Sequence, residues 1–318
     1  MTQPLHVVHL SHPLTCAGAQ NTLLQIVRRT RNCKHTIVTP HPDGDVRARE
    51  FVAAGADITH TAAPYQPRDY DIVHVHNYED ARCMEWASLA DPVPILVSRH
   101  GPHELPGLWS NIPHREAHVW ADPSFEMSVP NGCDFSAIPE RTGVGYKVAH
   151  VTTCSRFAQW KRPDLFIETC RLLNQAHPGK FRFFFVGGDE SEPWHDAMRE
   201  AMSGLVQWMP QCEHRVALAI MRMSHVFVLT SVDDTRPLCL MEARAMGLHT
   251  VATNVNGIPT IPRVRLVSKE AGASEWADAI LESPGVGADD RPEESGSVLM
   301  VRRYETLYRE LVGRMPDA

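Results

Sequence analysis

Three stretches in the second half of the chain combine charged side chains and turn-forming residues in a way that suits phosphate and sugar chemistry. Ser155-Arg156-Phe157-Ala158-Gln159-Trp160-Lys161 follows an apolar run and precedes Pro163. Arg156 and Lys161 lie five residues apart across a strand-to-helix turn. A fork-shaped guanidinium and a point-charge ammonium can there converge on one anion beside a helix N-terminus, and a diphosphate is the guest that fits them. Phe183-Phe184-Phe185-Val186 ends in Gly187-Gly188, which can turn tightly or let backbone approach a ligand. The apolar run 226–231 leads into Val232-Asp233-Asp234-Thr235-Arg236-Pro237 and a helix from Leu238. Seven residues separate Asp234 from Glu242, so one carboxylate stands in the loop and the other about one turn into the helix. Together they can accept hydrogen bonds from several hydroxyls.

Positioning such groups requires strands that end where helices begin. Short apolar runs at 5–10, 35–39, 56–61, 71–75 and 94–98 read as strands, with helices expected at 18–29, 47–54 and 79–89. Residues 101–145 hold six prolines and break the rhythm. It restarts with strands at 146–153, 181–186, 205–209, 225–229 and 250–253. Helices are expected at 162–176, 195–203, 214–222 and 238–246, and a last amphipathic helix at 297–312. Alternation of this kind predicts α/β architecture, two doubly wound parallel sheets with ligand edges facing across a cleft. The expected division is a first domain at 1–140, a second at 141–296 and a closing helix at 297–318 that braces the first.

Composition narrows the classes. The 318 residues are 43% hydrophobic and 22% charged, ordinary for a globular protein, and the net charge of −7 is not the footprint of a nucleic-acid binder. No run reaches the ~20 apolar residues of a bilayer crossing, and Met1-Thr2-Gln3-Pro4 opens no secretory signal, so a cytoplasmic location is expected. The eight cysteines form no CxxC pair and read as reduced thiols.

Taken together, "SRFAQWKRPDLFIETCRLL", "FFFVGGDE" and "VFVLTSVDDTRPLCLMEARAMGLHTVATNVNGIPTI" resemble the nucleotide-sugar domain of retaining GT-B glycosyltransferases of family 4. In the first half "AGAQNTLLQIVRR", "DIVHVHN", "SRHG" and "VPNGCD" are similar to that family's glycine-rich loop, mid-sheet strand, active-site histidine and linker motif. The resemblance spans residues 5–260 and the last helix, with the motifs in order. It implies a metal-independent, retaining transfer from a nucleotide-diphosphate sugar to an acceptor hydroxyl, with no cofactor; the donor's base and sugar stay open, a UDP-sugar being favoured on frequency alone. It implies that Arg156 and Lys161 bind the diphosphate and stabilise the departing nucleotide, that Glu242 holds the ribose, and that Asp234 holds the sugar hydroxyls. His100 would contact the sugar or its phosphate, and backbone near Gly18 would approach the diphosphate or the acceptor, with Gly187, Arg236, Pro237 and Leu238 expected among the donor-binding residues. The chain departs from the family at Asp234, where a glutamate is usual, at Arg236-Pro237, at Ser155 in place of glycine, and in the short stretch between His100 and Asn131.

The acceptor is open among a glycan, a natural product, a lipid-linked sugar and modified nucleic acid. Two other readings compete: a catalytically degenerate protein that binds nucleotide sugar or a partner, and a nucleotide-sugar epimerase of related fold. Lesser signals carry no role. His74 and His76 share one side of a strand, where half-buried histidines are expected and no third metal ligand is apparent. Asp69-Tyr70-Asp71 matches a short DxD pattern with a high false-positive rate, and Glu104 reads as an exposed loop carboxylate.

Overall fold

Strand-length runs alternating with amphipathic helices become, in the computed structural model, two six-stranded sheets whose strands are all parallel. The structure describes residues 3–11, 13–14, 18–39, 47–60, 69–76, 79, 81–88, 93–100, 107–119, 127–135, 138, 147–188, 190–282 and 296–313. Glu104, and the ends of several motifs (Ala17, Asn77, Gly101, Asp189), lie outside them. The chain divides into one unit of residues 1–132 with 296–318 and another of residues 133–295. The first break thus falls at Gly132/Cys133 rather than 140/141.

In the first unit β1 (Leu5–Leu10), β2 (Cys33–Val38), β3 (Ala56–Thr59), β4 (Ile72–Val75), β5 (Ile95–Arg99) and β6 (Arg115–His118) stand in the order β3-β2-β1-β4-β5-β6. Helices α1 (Gly18–Arg29), α2 (Ala48–Ala53) and α3 (Ala81–Ser88) connect them. Parallel sheets need both faces covered, and accordingly β4 and β5 are buried along their whole length and β1 over its last four residues. In the second unit β7 (Ala149–Cys154), β8 (Phe181–Val186), β9 (Val206–Met209), β10 (Val226–Leu229), β11 (His249–Thr253) and β12 (Arg265–Val267) take the order β12-β11-β10-β7-β8-β9. Helices α4 (Pro163–Ala176), α5 (His195–Met202), α6 (His214–Arg222), α7 (Leu238–Ala245) and α8 (Ala273–Leu281) flank them. Pro163 opens α4, where its missing N–H costs nothing.

The last helix, α9 (Gly296–Gly313), returns to the first unit. Its buried stripe of Met300, Val301, Tyr304, Leu307, Tyr308 and Leu311 follows the i, i+3, i+4, i+7 pattern and packs with Val7, Ile72 and Leu96 of the sheet. The chain leaves and re-enters this unit at one point of contact. A Cβ on Gly132 would stand 1.9 Å from the carbonyl oxygen of Gly296, so only glycine fits there. Just before it, Thr22 on α1 donates to Oδ1 of the buried Asn131 at 3.0 Å.

Candidate functional site

In the second unit the chain runs from β7 through β8 to β9 on one side, then crosses to β10, β11 and β12 on the other. The strand order reverses between β7 and β10. Loops leaving the carboxyl ends of two such strands diverge, and the crevice they open is where sheets of this kind hold ligands. Lys161 follows β7 and Asp234 follows β10. Lys161 Nζ lies 2.7 Å from Asp234 Oδ2, with only 18% and 17% of the two side chains exposed. The sequence thus places a cation and a carboxylate 73 residues apart on opposite lips of one crevice.

Local bonds hold the two lips together. Thr230, at the end of β10, donates to the carbonyl oxygens of Lys161 and Arg162 at 2.9 and 3.0 Å, and the Val232 N–H donates to Trp160 O at 2.8 Å. Arg162 takes a left-handed φ of 49° to turn the chain into α4. Arg156 is exposed on the same turn, its guanidinium carbon 5.3 Å from the Trp160 ring centroid. Stacking of that kind orients a guanidinium while leaving its N–H donors available.

Glu242 stands on α7 and is 7% exposed. Its Oε1 lies 2.8 Å from Nε2 of His214, the first residue of α6. Cys239, one turn earlier, has its thiol pushed up to about 12 by burial and then by the nearby Asp234 and Glu242. Burial and the same glutamate raise Cys154 and Cys133 as well. These thiols beside the carboxylates are therefore protonated and unreactive at neutral pH. Asn256 donates to Asp233 Oδ1 at 3.1 Å and Arg236 reaches Thr260 Oγ1 at 3.5 Å, tying the β10 loop to the loop after β11. Pro237 is the N-cap of α7, extended at φ −67°, and Leu238 begins the helix and packs on its apolar cluster.

Gly187 and Gly188 have a packing reason. Their φ values are 106° and 70°, and an added Cβ would meet Ser155 O at 2.3 Å or the Phe157 ring at 2.5 Å. The carbonyl of Ser155, where the resembling family has glycine, thus fills the space beside Gly187. Gly18, the first residue of α1, has open space at its Cβ position. His100 follows β5; its ring stacks on His76 with centroids 5.9 Å apart, and burial pushes it down to about 4.

The structure brings together Arg156, Lys161, Asp234, Glu242, Arg236, Pro237 and Leu238 on loops and helix starts at one sheet edge. Gly18 and His100 belong to the other unit. His214 was not anticipated: it is a helix-start histidine 28 residues from its partner, and no local pattern marks it. The expectation of half-buried histidines at 74 and 76 is corrected. His74 is 0% and His76 4% exposed, and His9 on β1 brings a third imidazole beside them. Spacing along β4 could not show this, because the third ring comes from the neighbouring strand. Asp71 of the DxD pattern accepts from the His6 backbone N–H at 2.7 Å, a structural role.

Residues 149–283 match the family model of glycosyl transferases group 1. Over 193 residues the chain is 25% identical to a phosphatidylinositol N-acetylglucosaminyltransferase component of Arabidopsis thaliana. The match covers 58% of this chain and 41% of that relative, so the chain spans well under half of the plant protein. Among solved structures, a glycosyltransferase from Rickettsia africae superposes with a TM-score of 0.74 at 14% identity, covering 99% of this chain and 100% of the other. Anabaena HepE in complex with UDP-glucose gives 0.72 at 12% identity, covering 96% and 95%. Likeness at this identity shows a shared fold.

Proposed function

We propose that this chain, whose residues 149–283 form a glycosyl transferases group 1 domain on a GT-B fold, is a retaining, metal-independent glycosyltransferase that moves a sugar from a UDP-sugar to an acceptor hydroxyl. The observation that carries the reading is the Lys161–Asp234 pair at the reversal between β7 and β10, with Glu242 buried one helix turn beyond it.

Glycosyl transfer breaks the bond between the anomeric carbon and the donor phosphate, so negative charge grows on the departing diphosphate. Lys161 and Arg156 are fixed cations on that side, and they stabilise the charge as it develops without waiting for solvent to reorganise. Asp234 holds the Lys161 ammonium in place and offers a second oxygen to the sugar hydroxyls. Glu242, kept in one orientation by His214, accepts from the ribose hydroxyls. With two side-chain cations supplied by the protein, the diphosphate needs no divalent ion. The UDP preference is supported by the HepE complex with UDP-glucose, which shares this fold.

A thermal-shift screen of UDP-, GDP-, ADP- and dTDP-sugars, with and without EDTA, tests the donor half. At about 100 times its dissociation constant a true donor stabilises the fold by about 2.7 kcal/mol. A shift with UDP-sugars that survives EDTA is expected. A response that needs added metal overturns metal independence, and no response to any nucleotide sugar overturns the donor site. Once an acceptor is found, NMR of the product anomer decides retention.

A further inference from the structure

The first sheet reverses its strand order between β1 and β4, and the proposed transfer mechanism gives the three histidines gathered there no role. His9 and His74 are register partners across these strands, and His76 lies two residues further along the same face. One nitrogen from each ring lies within 4.8 Å of the other two, the one such group of three found among the described residues.

The surrounding hydrogen bonds fix where the protons are. Thr30 donates its hydroxyl proton to Ile26 O at 2.8 Å, so His35 Nε2, 2.6 Å from that hydroxyl oxygen, must be the N–H that donates to it. His35 Nδ1 is then bare and accepts from His9 Nε2 at 2.9 Å. His9 Nδ1 is bare in turn and accepts from His76 Nε2 at 3.1 Å. The series ends at His76 Nδ1, a buried lone pair that no donor among the described residues meets. His74 is held by the Tyr308 hydroxyl at Nδ1 and by Ser98 Oγ at Nε2, both at 2.7 Å.

We propose that His9, His74 and His76 bind one zinc-class divalent ion. His9 presents a bare Nδ1 while its Nε2–H is anchored on His35, the arrangement by which an outer partner orients a metal-ligating imidazole. Two nitrogens on a tetrahedral ion, each ~2.0–2.1 Å from it, stand about 3.3 Å apart, and His9 Nδ1 is already 3.1 Å from His76 Nε2. Moving one proton from Nε2 to Nδ1 within the neutral His76 ring turns that donor into the second ligand. His74 supplies the third when one of its two hydroxyl partners yields and the other keeps the ring in place. Burial, the largest cause, lowers all three rings well below 6.5, so protons do not compete for the lone pairs at neutral pH. A donor set of imidazoles favours zinc, cobalt, nickel or copper over magnesium and calcium.

The site lies within the first unit, and it stands or falls separately from the donor reading. The test uses the untagged full chain, stripped with chelator and then titrated with Zn2+, with bound metal counted by mass spectrometry after gel filtration. Co2+ in a parallel titration reports a four-coordinate site through its intense visible absorption. We expect one ion per chain, the cobalt bands, and a raised Tm with Zn2+. His9→Gln and His76→Gln should each weaken binding by more than the roughly 10–100-fold that loss of a supporting partner costs, and His35→Gln should weaken it within that range. Absence of stoichiometric metal and of the cobalt bands in the unsubstituted chain overturns the proposal. So does binding that survives His9→Gln and His76→Gln. If those variants do not fold, the titration of the unsubstituted chain and of His35→Gln decides. Stripping the metal should leave any response to nucleotide sugar unchanged, so loss of one site does not mimic loss of the other.

Discussion

Both sheets reverse their strand order beside their first strand, between β1 and β4 in one unit and between β7 and β10 in the other. The two reversals are furnished in opposite ways. The second carries opposite charges on loops beyond the strand ends, with Lys161 and Asp234 less than a fifth exposed and Arg156 open to solvent. The first carries neutral imidazoles in the strands (His9, His35 and His74) and directly after β4 (His76), packed under α9 with Tyr304 and Tyr308. A charge on a loop can meet a charged ligand without leaving water altogether. An imidazole inside a sheet must be neutral and hydrogen-bonded to be there at all. The same topology therefore carries a charged, partly exposed loop edge in one unit and a buried, neutral polar cluster in the other.

The largest expected effect tests the charged reversal. Lys161→Met keeps the length of the side chain and removes its charge, leaving Asp234 without its partner. Transfer should fall by roughly 100–1,000-fold, the scale seen when one fixed donor to a developing oxyanion is lost. Circular dichroism should show the fold retained, because the pair is at the crevice rather than in the core. Activity near that of the unsubstituted chain would place the diphosphate elsewhere. Glu242→Gln should instead act mainly on KM for the donor, since the ribose contact proposed for it would be made equally in ground and transition states.

Acid separates the two reversals next. Burial lowers His9, His35, His74, His76 and His100, with His35 and His100 at about 4. His9, His74 and His76 are lowered further by one another or by neighbouring histidines, and the Tyr304 and Tyr308 hydroxyls facing them are raised by burial, so they stay neutral. The unfolded chain takes up protons at these sites below ~6.5 while the metal-free folded unit does not. Stability is thus intact above that pH and declines as pH falls towards 4, at about 1.4 kcal/mol per pH unit for each ring that remains neutral. Hydrogen exchange read by mass spectrometry should show β1 and β4 losing protection before β7 and β10. Simultaneous loss would mean that the histidine interior does not govern acid stability.

These contrasts also mark what the sequence could tell. Arg156, Lys161 and Asp234 were legible because each stands in the turn after an apolar run, so the run itself says at which edge the group emerges, and Glu242 through the helix that starts at Leu238 just beyond that turn. His9 and His74 are 65 residues apart and meet only through the register of β1 on β4, which no local pattern encodes. The pairing of His214 with Glu242 is hidden for the same reason. Strand β12 (Arg-Leu-Val) and β6 (Arg-Glu-Ala-His) present no apolar run to announce a strand, and both were missed. Helix α8 was missed although Trp276, Ala277 and Ile280 share its buried face. The paired glycines were legible as a tight place but not as a place filled by Ser155 and Phe157.

That filling gives a test of moderate size. Gly187→Ala would put a Cβ 2.3 Å from the Ser155 carbonyl at a φ of 106°, so strain and overlap add. Destabilisation of about 1–3 kcal/mol or more is expected in urea unfolding. A neutral result would mean that the β7 turn yields easily, and that Gly187 is there for a ligand rather than for Ser155.

The smallest effect concerns one proton in the first unit. If the imidazole series runs in one direction because Thr30 spends its hydroxyl hydrogen on Ile26 O, then Thr30 is the residue that orients every ring up to His76. Thr30→Val keeps the shape and removes the oxygen, leaving His35 Nε2–H without its acceptor, at a cost of about 1–3 kcal/mol. Thr30→Ser keeps the oxygen and should restore nearly all of it. The orientation itself is visible by 15N NMR, where protonated and bare ring nitrogens have distinct shifts. In the unsubstituted chain Nε2 of His35, His9 and His76 should each be protonated, and in Thr30→Val the pattern can reverse, passing a proton to His76 Nδ1. A reversed pattern in the unsubstituted chain would show that Thr30 does not set the direction, and it would remove the bare His9 nitrogen on which metal binding there depends.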